Sequence, residues 1–497
     1  MSAQEHLRDK LRVIHNLNHA SQYLSWDEAV MMPKEGGIAR ADSLATLRFL
    51  VHEIITSTEL GELIEAAKDE RPTDKWEIAN LRVIEHERVR STAVPSDLVV
   101  ALSKASSACE QEWRERRAEN DWKSVVPLLS AVVRLTKERA VSLGEVLQFD
   151  PYDALLDEYE PGLNQKFIDP LFSRLVEFLP GFVDDILTRQ GPRQKFQGNF
   201  SPQRQLELAK RLMAPLGFNF SQGRIDTSHH PFSCGNLTDT RITTRFGDDD
   251  FLESMYAVLH ETGHALYQQG LPRKPCDQPV GRSLGMMIHE SQSLFMEMQI
   301  CRGNSFLRFA KPIIEDALDV QGNGTPWNLE TLSKAVRRVE RGKIRVESDE
   351  TTYPLHVVLR YEIEKALLRD ELTVEEIPEM WNQLMKDSFG IELGEDYKDG
   401  CMQDVHWFAG LIGYFPCYSL GALTAAQLYQ AMVRDIGDIE DDFAAGQFER
   451  SLGWQRDKIH SRGQLIPSFE LIESVTGSPL GCEAFISHVT SRYGSAS

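Results

Sequence analysis

Leu259-His260-Glu261-Thr262-Gly263-His264-Ala265-Leu266-Tyr267 is the stretch from which the rest of the chain can be read. Two histidines stand four residues apart, with a glutamate directly after the first: the HExxH pattern of zinc hydrolases. On a helix this spacing sets His260 and His264 roughly 40° apart around the axis and one turn apart along it. Both imidazoles then reach one tetrahedral metal ion from the same side. Glu261 falls on the edge of that face, placed to take a proton from a water rather than to bind the metal. Met255, Tyr256, Val258, Leu259, Leu266 and Tyr267 make the surround apolar, so the helix is expected to be buried. Buried histidines and a buried glutamate need partners. The plainer alternative is core histidines satisfied by backbone groups. Asp248 to Asp250 offer an acidic start to the helix, and Gly270 followed by Pro272 a stop.

A hydrolytic zinc keeps three protein ligands and one open position, so a third ligand must come from elsewhere. The next helical stretch runs from Ser283 to Arg302, with Leu284, Met287, Ile288, Leu294, Phe295 and Met298 as its apolar positions. Glu290 lies three after Met287 and four before Leu294, on the buried face. A carboxylate there is costly unless a cation meets it, which makes Glu290 the third ligand. Glu297, seven residues on, shares the face. It reads either as an acceptor for a ligand histidine N–H or as a solvated glutamate.

Immediately upstream, Asn236 to Phe246 alternates, with Thr238, Thr240, Ile242, Thr244 and Phe246 on one face. This is the best strand in the chain. As an edge strand near the metal it could pair with a peptide by main-chain hydrogen bonds; the alternative is an internal strand with its charges exposed. His229-His230-Pro231-Phe232 precedes it, and the proline denies a helix. Downstream, Arg341 to Arg345 is basic, and Ser348-Asp349-Glu350 caps a helix running to about Leu368. Gly400 to Gly421 gathers Gln403, Asp404, His406, Trp407, Tyr414 and Tyr418 among four glycines. It reads as a mobile, closely approaching segment or as a tightly packed helix pair. Residues 1 to about 220 are helical throughout, interrupted at Pro33 and Gly36-Gly37: a packed layer, or one wall of a substrate groove. Residues 306 to 345, with Gly322-Asn323-Gly324 as a loop, residues 372 to 388 and the C-terminal part are helical again.

The 497 residues suffice for a large core. A formal charge of −21 argues against a nucleic-acid partner. Seven scattered cysteines without a CxxC pair point to reduced thiols and a cytoplasmic protein. Met1 to Lys10 has no apolar core, so no signal peptide is expected, and no apolar run approaches membrane-spanning length.

Six separate matches in order carry a resemblance. Leu24-Ser25-Trp26-Asp27 with Met32-Pro33, His230-Pro231-Phe232 (HPF), Asp239 to Thr243 (DxRxT), His260 to His264, His289-Glu290-Ser291-Gln292 (HESQ) and Gly400 to Trp407 (GxxQDxHW) resemble the motifs of the carboxypeptidase Taq family of metallocarboxypeptidases. The resemblance covers close to the whole chain. Departures are Ser348 where the family commonly has alanine, Gln268 where it has glutamate, and Met296 for a tryptophan or tyrosine. None removes a ligand.

The resemblance implies a mostly helical, saddle-like fold of the neurolysin type, with a deep groove and a small sheet beside the HExxH helix. It implies a single unit: 1–220 as groove wall, 221–421 as the zinc-binding catalytic part and 422–497 as a helical C-terminal part. The activity would be release of single C-terminal residues from peptides, with broad tolerance and difficulty at proline. The metal would be zinc, replaceable by cobalt, and the molecule a homodimer. Glu261 would act as general base, with His406 and Tyr414 as oxyanion donors and Tyr418 as the second phenol. The substrate carboxylate would meet Arg345 first and Arg241 second, helped by His230, with Asp239 and Tyr418 in the same substrate-binding set. Arg345 could otherwise be ion-paired with Glu347 or Asp349. Competing readings are a dipeptidyl carboxypeptidase or oligo-endopeptidase on the same scaffold, a non-catalytic peptide-binding protein, and a purely structural helical protein.

Overall fold

The computed structural model describes residues 2–194, 196–198, 200–247, 250–320 and 327–494. The N-terminal part is a series of helices: α1 (Ala3–Val30), α2 (Gly37–Thr56), α3 (Thr58–Asp69), α4 (Lys75–Ala93), α5 (Ser96–Glu119), α6 (Trp122–Leu147), α7 (Pro151–Tyr159), α8 (Gln165–Arg189) and α9 (Pro202–Met213). Local chemistry sets their ends. Ser2 and Glu5 form a reciprocal cap on α1, and Asp74, Asp121 and Asn164 accept first-turn N–H groups of α4, α6 and α8. Leu7, Leu11 and Ile14 of α1 pack with Leu60 and Ile64 of α3 and Ile84 of α4 in a small apolar cluster of their own.

Three short strands follow: β1 (Gly223–Thr227), β2 (Phe232–Asn236) and β3 (Asp239–Thr244). The sheet order is β1-β3-β2, with β3 parallel to β1 and antiparallel to β2. The expected strand therefore exists, but it is the central one and shorter at both ends. Asn236 starts a turn instead: its side-chain oxygen accepts the Thr238 and Asp239 N–H groups at 2.9 and 3.0 Å. Thr243, on the face opposite Thr240 and Ile242, is buried as well. Its hydroxyl receives hydrogen bonds from Ser228 Oγ and the Phe232 N–H.

The chain then runs through α10 (Leu252–Gly270), α11 (Met286–Leu294), a π-helical turn (Phe295–Cys301), α12 (Asn304–Ala317), α13 (Leu329–Val336), α14 (Tyr353–Leu368) and α15 (Ile377–Phe389). The chain closes with α16 (Pro416–Ile436), α17 (Glu440–Ala444), α18 (Glu449–Lys458), α19 (Ser468–Thr476) and α20 (Glu483–Tyr493). Four local expectations are corrected. Ser283 to Arg302 is not one regular helix: it begins at Met286 and widens into the π turn. Residues 337–344 are not helical. The helix expected over 372–388 begins only at Ile377. Residues 400–415 run in turns, and only α16 is a helix, so Gly400 to Gly421 is not a helix pair. Asp248, Asp249 and Gly322 to Gly324 lie outside the described residues. Asp250 does serve the start of α10, accepting the Leu252 N–H at 2.7 Å. α16 is buried on nearly every side, as a helix apolar all round must be, and it packs along α11 at the centre of the main core. Among the described residues no helix is long and apolar enough to cross a membrane.

Candidate active site

Two glycines let three helices close on one point. A Cβ at Gly263, inside the HExxH run, would lie 2.5 Å from the Gln292 carbonyl oxygen and 2.6 Å from Ser293 Cα. Only glycine permits α10 and α11 to approach so closely. On the far side of α11, a Cβ at Gly421 of α16 would lie 2.8 Å from Glu290 Cβ and Cγ. Glu290 is thereby pressed toward the two histidines. One carboxylate oxygen lies 3.8 Å from His260 Nε2 and the other 3.4 Å from His264 Nε2. His260, His264 and Glu290 are the one group of histidine, cysteine or acidic side chains found among the described residues with ligand atoms close enough, within 4.8 Å of one another, to share an ion.

The other ring nitrogens are held from behind. His260 Nδ1 is 2.9 Å from Glu297 Oε2, and His264 Nδ1 is 3.0 Å from the His289 carbonyl oxygen and 2.7 Å from His289 Nδ1. Both rings thus turn Nε2 toward the common centre. Glu297 takes the histidine-facing role rather than the solvated one. It does so from the π turn, whose register is marked by the Arg302 N–H bonding the Glu297 carbonyl at 3.2 Å. Burial works to raise Glu290, but the His260 and His264 charges hold it below the usual carboxylate range. Burial raises Glu261 despite the same two histidines, and its Oε2 is buried with no hydrogen-bond partner among the described residues. Two imidazole nitrogens, one carboxylate and a neighbouring unspent carboxylate oxygen fit a divalent ion with an open position.

A second cluster faces the first. His406 Nε2 is 3.1 Å from Tyr418 Oη, and the Tyr414 ring lies 5.2 Å from that of Tyr418 and 5.5 Å from that of His406. After burial, the Glu290 charge is among the causes that raise both phenols, which ties this cluster to the donor triad. Burial first, and then the Arg345 and Arg360 charges, hold His406 down to about 3 against the pull of Asp404. The loop is fixed by Glu364, which accepts from Trp407 Nε1, the Gly413 N–H and Tyr152 Oη at 2.8, 3.0 and 2.7 Å. Gly413 has φ +96 and meets the Leu155 backbone, so a side chain there would be both strained and crowded. Neither Glu364 nor Tyr152 was singled out from the sequence. A buried acid amid an apolar helix was the available signal.

Arg345 is buried, and its ion partner is Asp404, not Glu347 or Asp349. Nε and one terminal nitrogen reach Asp404 Oδ1 at 3.2 and 2.9 Å, and the other donates to Tyr353 Oη at 3.2 Å. Arg360 takes the other Asp404 oxygen through Nε at 2.7 Å. The Arg345 guanidinium lies over the Tyr418 ring, 4.6 Å from its centroid. Arg241 stands apart from this cluster, on β3 and against α1. One edge of its fork meets Asp239 at 3.1 and 2.8 Å, and its plane lies 4.4 Å from the Tyr23 centroid and 4.2 Å from the Trp26 centroid. β2 runs along the HExxH helix, because Gln268 donates to the Gly235 carbonyl at 2.9 Å. His230 is exposed at the start of β2, its ring edge-on to that of His229. A cavity of about 1570 Å³ is lined by α2, α4, α5, α6 and α7, and by Ser283 to Gly285 and Ala409-Gly410. It does not include the donor triad, but it adjoins the second cluster through Tyr159, whose ring is 5.1 Å from that of Tyr414.

Residues 6–493 match the model of the family described as carboxypeptidase Taq (M32) metallopeptidase. The thermostable carboxypeptidase 1 of Thermus thermophilus is 37% identical over 483 residues, covering 94% of each chain. The carboxypeptidase 1 of Bacillus subtilis is 34% identical, covering 98% of this chain and 97% of its own. Among solved structures, metallocarboxypeptidase 1 of Trypanosoma cruzi superposes with a TM-score of 0.96 at 33% identity, with 99% of each chain covered.

Proposed function

The chain belongs to the carboxypeptidase Taq family of metallopeptidases, and from that premise we propose a zinc enzyme that releases single residues from the free C-terminus of peptides, with broad tolerance and poor action at proline. The observation that carries this reading is the His260, His264 and Glu290 donor set beside the unspent Glu261 carboxylate. His260, His264 and Glu290 would hold a divalent ion, which would supply Lewis acidity for the scissile carbonyl and make water acidic enough to attack near neutral pH. Glu261 takes the proton from the attacking water and returns it to the leaving amine, a task suited to a carboxyl raised by burial. Tyr418 and Tyr414 present phenol O–H groups to the developing oxyanion, and His406, neutral at working pH, orients Tyr418.

For the substrate carboxylate we place Arg241 ahead of Arg345. Arg345 has its fork engaged by Asp404 and Tyr353, whereas Arg241 is half-buried and, among the described residues, hydrogen-bonds through one guanidinium edge only, to Asp239. Arg345 then acts by holding Tyr418 and the His406 loop, and His230 stands at the outer end of β2 near the same terminus. The body of the peptide lies in the cavity beyond Tyr159, with 1–220 as its wall, 221–421 as the catalytic part and 422–497 closing the core. We infer a cytoplasmic homodimer, a reading supported for the compartment by seven unpaired cysteines. Cobalt is expected to replace zinc.

The test is digestion of an N-blocked peptide, and of its C-terminal amide, followed by mass spectrometry. Stepwise loss of single residues from the free acid alone, with Arg241→Ala raising KM for that acid, supports the reading. Internal cleavage, loss of dipeptides, or equal cleavage of the amide overturns it.

A further inference from the structure

Glu297 joins His260 to a run of buried charges that ends on the last helix of the chain. Its Oε1 accepts from Arg302 at 2.8 Å. The Arg302 guanidinium lies 4.3 Å from the Tyr256 centroid, and its Nε is 3.8 Å from Glu350 Oε1. Glu350 is wholly buried. Its Oε1 receives Arg492 at 2.7 Å and Tyr493 Oη at 3.1 Å, and its Oε2 meets His488 Nε2 at 2.7 Å. These last three residues all belong to α20.

Arg492 has a second engagement. It donates to the carbonyl oxygens of Met298 and, at 3.1 Å, Gln299, both in the π turn. A turn with wider spacing leaves backbone groups that need outside partners, and a guanidinium can meet two at once. Two routes therefore converge on Glu297. One is electrostatic, through Glu350 and Arg302; the other is mechanical, through the backbone on which Glu297 sits. The charges alternate along the run, so each neutralises its neighbour, and removing one strands another in the core. Burial works to raise Glu350, but Arg492, His488 and Arg302 hold it well below the usual carboxylate range.

We propose that Arg302, Glu350 and Arg492 are positioning residues for the metal centre, holding Glu297 against His260 so that the C-terminal helix sets how tightly the ion is kept. The inference rests on the reading that His260, His264 and Glu290 hold that ion. It assigns α20 a role that no contact with substrate would reveal.

Full-length Glu350→Gln, Arg492→Lys, Glu297→Gln and the double variant Glu297→Gln/Glu350→Gln test it. Zinc affinity is read by competition with a chromogenic chelator, folding by circular dichroism, and KM in parallel. Glu350→Gln is expected to bind zinc about tenfold more weakly at unchanged KM, and to add nothing in the Glu297→Gln background. Arg492→Lys, which keeps the charge and loses the fork, is expected to show a smaller loss in the same direction. Wild-type affinity in folded Glu350→Gln overturns the inference. So does an undiminished loss in the Glu297→Gln background, which would mean a route that bypasses Glu297. Should Glu350→Gln not fold, unchanged affinity in Arg492→Lys overturns it alone. Absence of stoichiometric zinc in the wild type overturns the site reading itself, whereas zinc-binding wild type with unaltered variants overturns only the role of the helix.

Discussion

Glu261 and Glu290 are the same residue type on facing helices, yet their surroundings push them apart. Glu290 lies between two imidazoles and is held down; Glu261 keeps one buried oxygen without a partner among the described residues and is pushed up. Opposed environments of this kind separate a ligand from a proton carrier. Glu261→Gln is therefore expected to lose about 10²- to 10⁴-fold in kcat while zinc content and KM hold, measured by steady-state kinetics with metal analysis. Equal losses in metal content would make Glu261 a ligand instead. Tyr418→Phe removes an O–H that lies beside His406 and under Arg345. A fall of about 10²-fold in kcat with little change in KM is expected, larger than for Tyr414→Phe, which keeps the His406 contact. Most of these side chains could be named from the one-dimensional pattern, because HExxH spacing and a lone acid on an apolar face are local signals. The engagement of Arg345 by Asp404, 59 residues away, was not legible, since nothing local marks which acid a buried arginine will meet.

At the scale of the element, the site depends on how closely helices approach. The Thr-Gly pair inside the HExxH run looks neutral in sequence, but the Gly263 position faces the α11 backbone. Gly263→Ala is expected to cost about 1–3 kcal/mol through overpacking and to weaken zinc binding as α11 is pushed back. Thermal denaturation and metal titration check both effects, and a variant of unchanged stability would contradict the close approach. The start of α11 carries a second device. Glu160, buried behind Gly285, accepts the Met287 N–H at 3.0 Å, and burial pushes it from its ordinary 4.5 up to about 7 against the donors around it. Between those values the folded protein keeps a proton that the unfolded chain has lost, so stability should fall as pH rises through the window. Glu160→Gln is expected to flatten that part of the profile, read from urea midpoints between pH 4.5 and 7.5; an unchanged slope would assign the effect elsewhere. The stop of α10 at Gly270 was foreseen, whereas α11 begins at Met286 and not Ser283, and α14 begins at Tyr353 without a side-chain cap from Ser348 to Glu350. The π turn was not foreseen, since its wider spacing is imposed by what packs against Phe295 to Cys301 and not by their own propensities.

For the whole molecule, the donor set is assembled from two helices pressed together by a third, and an ion held there would link them. Stripping the metal with a chelator is expected to abolish activity and lower Tm by several degrees, both restored by zinc, because an ion that binds only the folded form stabilises it by mass action. Identical melting curves with and without metal would argue against the triad as a tight site. The sheet shows where reading one strand at a time fails. Alternation put Thr240, Ile242 and Thr244 on one face, but whether β3 lies at an edge or in the middle depends on β1 and β2 finding it, a long-range event. What the chain by itself determined was the helical class, the three side chains that meet beside Glu261 as a candidate ion site, and the family, all carried by periodicity and short motifs that act within a turn or two of helix. What only the tertiary structure decided was which buried charges meet: Arg345 with Asp404, Glu297 with both His260 and Arg302, and Glu350 with α20. Coulomb partners are chosen by proximity in the folded core, where low dielectric makes each pairing costly to leave unmade, and proximity there is set by packing between segments far apart in sequence.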